Sequence, residues 1–183
     1  MSEEMIIKYC SPTLAGLKTG SMFVCEYGSR NDLRDEIREY NKVLVPKGIR
    51  LIPLRSKNRK ALIYVYRPSK LKRDLTDAKA AGVLKERGYP SSCCSQCVHC
   101  LKNHLNEHEA FPHEIGLFLG YPPDDVIGFI DNKAGNYKYC GMWKVYGDLQ
   151  NAKKTFEKFK KCTGTFEQRY QKGAALGDLA VAG

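Results

Sequence analysis

Apolar positions along this chain recur at helical spacing over long stretches and close up into short unbroken runs near residues 49–66. From Asn31 onward Leu33, Ile37, Tyr40 and Leu44 fall on one helical stripe, and Pro46-Lys47-Gly48 predicts where that helix ends. Upstream, Ser11-Pro12 reads as an N-cap and first helical position, opening a short helix through Leu17 that stops near Gly20. The runs IRLIPL (Ile49–Leu54) and ALIYVY (Ala61–Tyr66) predict two strands joined by the basic turn SKNRK. Pro53 cannot donate to a ladder and places the first of them at a sheet edge. A long helix is expected from Ser69 to about Arg87, with Leu71, Leu75 and Leu84 inward and Gly88-Tyr89-Pro90 closing it. Another should run from about Ser92 to His108 on the stripe Val98, Leu101, Leu105.

The stretch FPHEIGLFLGYPPDDVIGFI (Phe111–Ile130) reads as two proline-started helices separated by Gly120-Tyr121-Pro122. Pro112 and Pro123 suit first helical positions, and Glu114, Asp124 and Asp125 then fall where the helix dipole favours acids. Ile115, Phe118 and Leu119 would form one apolar face, and Val126, Ile127 and Ile130 the next. Alternation of Ile115, Leu117 and Leu119 also suits a strand. Gly116 and Gly128 inside helices each cost about 1 kcal/mol relative to alanine, which close approach of a backbone or a ligand would justify. KYCGMWKVYG (Lys138–Gly147) predicts a further strand, Asp148 caps a helix reaching about Lys161, and a last helix leads into the tail. The expected fold is α+β: one domain over residues 1–183, a small mixed or antiparallel sheet flanked by helices, and a frayed tail at 176–183.

Composition narrows the setting. At 183 residues with 43% hydrophobic content the chain can bury a core without staples. No apolar run reaches the roughly 18 residues of a membrane span. The opening MSEEMIIKYC carries acids where a secretory signal would be basic, so a cytoplasmic protein is expected. Eight cysteines without such a signal point to reduced thiols or a metal site rather than bridges. The formal charge is +10, and eleven Lys/Arg against three acids fall between Arg55 and Arg87. Such a block can attract phosphates or acidic partners, or simply form a solvated surface.

FPHEIGLFLGYPPDDVIGFI, followed by YKYCGMWKVYGD, resembles the signature of an uncharacterised family of clostridia and related anaerobes, catalogued as domain of unknown function 3793. The resemblance extends to CSPTLAGLKTGSMF, to ALIYVYRP and to the helix ending in KKC. It implies a single-domain cytosolic protein without a secretory leader, and no established activity. It also implies a loose link to gene neighbourhoods holding flavodoxins and iron-uptake functions. The stretch SSCCSQCVHC falls where the family carries an ordinary amphipathic helix, so a metal site there would be peculiar to this chain.

Four constellations carry candidate chemistry. His113 and Glu114 would sit at a helix start, where free N–H groups attract anions and a histidine can switch protonation. Lys18, Arg67, Lys144 and Tyr146 lie in the other motif segments and would converge on the same pocket, giving a site for a small anionic ligand or cofactor. The plainer reading is a capping histidine and an acid answering the dipole. Cys94, Cys97, Cys100, His104 and His108 place soft ligands three and four residues apart, a candidate set for zinc or iron in a protein that serves a redox partner. One straight helix presents a row rather than a tetrahedron, so small buried cysteines are the simpler account. Cys10, with His113 and Asn132 or Asp131, has the order of a thiol hydrolase but none of its local motifs. The basic 55–87 segment with Tyr64, Tyr66 and Tyr89 could bind nucleic acid nonspecifically. The apolar VIGFI argues against a base-reading helix and so against specific DNA recognition.

Overall fold

The computed structural model describes residues 1–90, 93–107 and 111–183. Helix α1 (Glu3–Leu14) starts earlier than Ser11-Pro12 suggested. Ser2 caps it by accepting from the Met5 N–H at 3.3 Å, and Glu3 and Glu4 occupy its first turn. Ser11 instead donates back to the Ile7 carbonyl, and Pro12 sits in the last turn. The stripe Ile6, Ile7, Cys10, Leu14 is fully buried and carries the helix through the proline. Strand β1 (Gly20–Glu26), which the sequence reading did not identify, turns Ser21, Phe23 and Cys25 inward.

Helix α2 (Arg30–Leu44) opens with a reciprocal capping box between Ser29 and Asp32 and ends in a short 3-10 turn, Val45–Lys47. Gly48 follows at φ 73°, the left-handed conformation that lets the chain reverse into the sheet. Strands β2 (Arg50–Lys57) and β3 (Lys60–Tyr66) form the expected hairpin. Its two-residue turn, Asn58-Arg59, holds both residues at positive φ, matching the strand twist. The sheet is antiparallel in the order β1-β3-β2, with Met22 and Ile52 both opposite Tyr64. Pro53 lies on an edge strand, as its missing N–H requires, beside a bulge between Pro53 and Arg55. Two positions earlier on that edge, Leu51 donates its N–H to Asn41 Oδ1 at 2.9 Å and its carbonyl accepts from Asn41 Nδ2 at 2.7 Å.

Helices α3 (Pro68–Leu75) and α4 (Ala78–Glu86) stand where one long helix was expected. Asp77 divides them by accepting from Lys79 and Ala80 N–H groups, a capping role an aspartate performs better than it continues a helix. Helix α5 (Cys94–Glu107) follows, and the expected ends Ser92 and His108 lie outside the described residues. Helix α6 (Ile115–Phe118) is a single turn, so Pro112 begins a turn rather than a helix. Helix α7 (Pro123–Asp131) has Pro123 at its start as expected. Residues 138–147 form a small hairpin, β4 (Tyr139–Cys140) with β5 (Lys144–Val145), rather than one strand. Helix α8 (Leu149–Gln171) runs past Lys161 and through Gly164, and α9 (Leu176–Leu179) buries Leu176 and Leu179 while Asp178 stays exposed.

These elements make an α+β fold in two compact units. The first comprises residues 1–69 and 161–183. Its core joins α1, the inner face of the sheet, Phe166 of α8, and Leu176 and Leu179 of α9. The second comprises residues 70–160 and contains α4–α7 and the β4–β5 hairpin. Among the described residues no helix is long and apolar enough to cross a membrane.

Candidate functional site

The second unit holds a cleft of about 350 Å³ lined wholly by residues 111–144. Its walls are aromatic. Tyr121 stacks on Trp143 with ring centroids 4.7 Å apart, and Phe156 meets Trp143 edge-on at 4.4 Å. Phe129 of α7 faces the cleft and packs against the exposed His113 ring at 5.2 Å. Phe111 and Met142 expose 44% and 49% of their surface at its mouth, an unusual placement for large apolar side chains.

Asp125 fixes this arrangement. It is 3% exposed, accepts from Trp143 Nε1–H at 2.7 Å, and accepts from the backbone N–H groups of Tyr146 and Gly147, each at 2.7 Å. A buried carboxylate with three donors is fully occupied, so Asp125 is a brace between α7 and the hairpin. The two glycines of the segment make room for side chains. A Cβ on Gly116 would lie 2.8 Å from Val126, and one on Gly128 would lie 2.5 Å from Tyr146. The close approach that justifies them is internal packing.

Lys144 supplies charge. Its ammonium donates to the Ala134 carbonyl at 2.7 Å and lies over the rings of Tyr137 and Phe129 at 4.7 and 5.8 Å. None of these partners is an anion. Of the six residues proposed from sequence, His113 and Lys144 line the cleft and the other four do not. Tyr146 turns its hydroxyl to the Gly135 carbonyl at 2.9 Å. Lys18 and Arg67 belong to the first unit. Burial lowers Lys18 to about 8, opposed by the nearby Cys10 thiol. Arg67 is 2% exposed and donates to the carbonyls of Thr13, Leu14 and Val181 at 2.6–2.7 Å, with Lys47 at 3.4 Å. It caps the carbonyl end of α1 and has no face left for a ligand.

Glu114 turns inward, 2% exposed, away from the dipole role expected of it. Its Oε1 accepts from the Tyr89 hydroxyl at 2.9 Å and lies 3.5 Å from His104 Nδ1. Its Oε2 lies 3.7 Å from Arg87 and has no hydrogen-bond partner among the described residues. This buried polar knot joins α5, the turn before α6 and the end of α4.

The cysteines of α5 differ in burial and in partners. Cys97 is buried and donates to the Pro90 carbonyl at 3.1 Å, while Cys100 lies 3.6 Å from His104 Nε2. Among the described residues no three His, Cys, Asp or Glu side chains gather as a metal would require. His108 lies outside the described residues. Cys10 is fully buried and its thiol is pushed far up by burial, the opposite of an activated nucleophile. The tyrosines offered for base stacking, Tyr64, Tyr66 and Tyr89, are 0%, 6% and 5% exposed. Within the basic block Arg67 is interior, while Arg73 and Lys79 pair with Asp74 and Asp124.

The aromatic lining was missed by a reading centred on charged groups. Its signal was present: eight aromatic residues fall between Phe111 and Tyr146, including the sole tryptophan. A family model described as protein of unknown function (DUF3793) matches residues 6–180. The chain belongs to this family. In this DUF3793 protein the motif-rich segment 111–147 is thus the part that builds the cleft. No curated protein and no solved structure matches the chain.

Proposed function

We propose that the cleft of residues 111–144 binds a small, flat molecule carrying an acidic group. The observation behind this reading is the pairing of an aromatic wall, Trp143 on Tyr121 beside Phe129, with a lysine that has no anionic partner among the described residues. A conjugated ring can lie against such faces, and an anionic substituent would meet the Lys144 ammonium. His113 at the rim can add a second donor when protonated. A volume near 350 Å³ is at the small end of ligand pockets and suits one or two fused rings. The reading includes a cytoplasmic setting, where eight thiols stay reduced. The loose link to flavodoxin and iron-uptake neighbourhoods makes redox-active rings and aromatic iron chelators the first ligands to try.

Trp143 is the only tryptophan, so its emission reports the cleft without a label. Titration with 2,3-dihydroxybenzoate, AMP and 1,4-dihydroxy-2-naphthoate, with calorimetry alongside, should give saturable quenching by at least one. Lys144→Ala should weaken that binding about tenfold, roughly 1.4 kcal/mol. If millimolar concentrations of all three leave both the emission and the heat signal flat, the reading fails.

A further inference from the structure

A second cleft in the same unit, about 450 Å³, lies between α3, α4 and the start of α5. Lys72, Lys85, Tyr89 and three cysteines, Cys93, Cys94 and Cys97, are among the residues that line it. No carboxylate is among its described lining residues, so the two lysines set its charge. We propose that this cleft is a dithiol–disulfide exchange site for a small anionic disulfide, with Cys93 as the attacking thiol and Cys97 as the resolving one.

The three thiols have different surroundings. Cys93 is exposed, and its Sγ lies 3.0 Å from the Ser95 hydroxyl. That hydroxyl, then the N–H groups of Ser95 and Gln96, and last the Lys72 charge favour its thiolate and lower its pKa. Cys94 is half-buried, and burial pushes its thiol up to about 11. Cys97 is buried, raised by burial, and donates its S–H to Pro90. One ready nucleophile therefore stands beside two thiols that stay protonated at neutral pH.

The Cys97 N–H donates to the Cys93 carbonyl at 3.1 Å, which places the pair one helical turn apart. Such neighbours have Cβ atoms about 5–6 Å apart, and a disulfide needs roughly 3.5–4.5 Å. Cys93 precedes the first residue of α5, so its backbone can turn toward Cys97 by giving up that one hydrogen bond. A bridge between adjacent Cys93 and Cys94 would strain both the peptide and the disulfide torsion.

The exchange balances. The Cys93 thiolate attacks one sulfur of R–S–S–R, the S–S bond breaks, and RS⁻ leaves and takes a proton from solvent. Cys97 then loses its proton and attacks the Cys93 sulfur, expelling the second RS⁻ and closing the intrachain disulfide. The disulfide substrate gains two electrons, the protein dithiol loses two, and two RSH are released.

The test treats anaerobically reduced full-length protein with glutathione disulfide, blocks it with N-ethylmaleimide and maps the products by mass spectrometry. Wild type should yield a Cys93–Cys97 bridge, and Cys97→Ser should stop at glutathione on Cys93. Cys93→Ser should slow the reaction at least about tenfold, a substitution its exposure makes safe for folding. Lys72→Gln with Lys85→Gln should slow glutathione disulfide several-fold and leave the neutral 2-hydroxyethyl disulfide unchanged. Equal reaction at Cys140, an exposed thiol elsewhere in the unit, would make Cys93 an ordinary surface cysteine and overturn the proposal. A stable mixed disulfide in wild type would overturn the resolving role of Cys97, and equal lysine effects on both probes would overturn the anionic substrate.

Discussion

Arg67 of the first unit and Glu114 of the second are both buried, and their surroundings treat them in opposite ways. In the first, Arg67 is surrounded by carbonyl oxygens from α1, the 45–47 turn and the tail, and each of its three nitrogens has a carbonyl acceptor. In the second, Glu114 has a hydroxyl on one oxygen and only looser contacts with Arg87 and His104 around the rest. The first unit spends its buried polarity on closure, with a continuous apolar cluster packed around it. The second distributes its polarity among clefts, braces and thiols, and both described clefts are there. Matched charges such as Arg67 and Asp125 fix their surroundings, whereas the partial matching at Glu114 leaves that carboxylate free to change partners.

The comparison can be broken by substitution. Arg67→Ala leaves several buried carbonyls short of a donor and should cost about 3–5 kcal/mol. For a chain of this length that is roughly 6–20 °C in melting temperature. A loss below about 1 kcal/mol in urea unfolding would mean Arg67 is not the closure described. Glu114→Gln keeps an acceptor for Tyr89 while removing the charge, and should cost less than about 1 kcal/mol. If its urea midpoint falls as far as that of Arg67→Ala, the contrast between the units disappears.

Lys18 gives the smallest effect. Its pKa in the folded protein is lowered by burial to about 8, below its unfolded value. Between those two values the unfolded chain binds the extra proton, so stability rises with pH across that window. Wild type should therefore gain on Lys18→Met by about 0.7 kcal/mol between pH 7.5 and 8.5. Thiol ionisation, which acts oppositely for Cys10 and Cys25, affects both proteins and cancels in the difference. A gap that does not change with pH would place Lys18 in ordinary solvent.

Where local chemistry decided the structure, the sequence was readable. The stripe of α2, its glycine stop, the β2–β3 hairpin and the edge position of Pro53 all follow from residues within a turn of each other. Elements that depend on partners were not readable. GSMFVCE becomes a strand because β3 pairs with it, and nothing in its short alternation announces that. Asp77 splits one predicted helix in two, since the same residue can continue a helix or cap the next. Helix α8 continues through Gly164 because Phe159 and Phe166 bury on either side of it. The site divided along the same line. His113 and Lys144 could be picked out by chemistry, whereas Glu114 meets Tyr89, His104 and Arg87 only through the fold.

The outer margin of β2 has a consequence for life in a crowded solution. An open strand margin is a template on which a second chain can add its own strand, the first step toward precipitation and fibrils. Here the two successive outward positions are both closed to that event. The Asn41 amide occupies Leu51, and Pro53 has no N–H to offer. A carboxamide and a pyrrolidine ring, both of which look incidental beside the core, hinder a neighbouring copy from adding a strand at this edge.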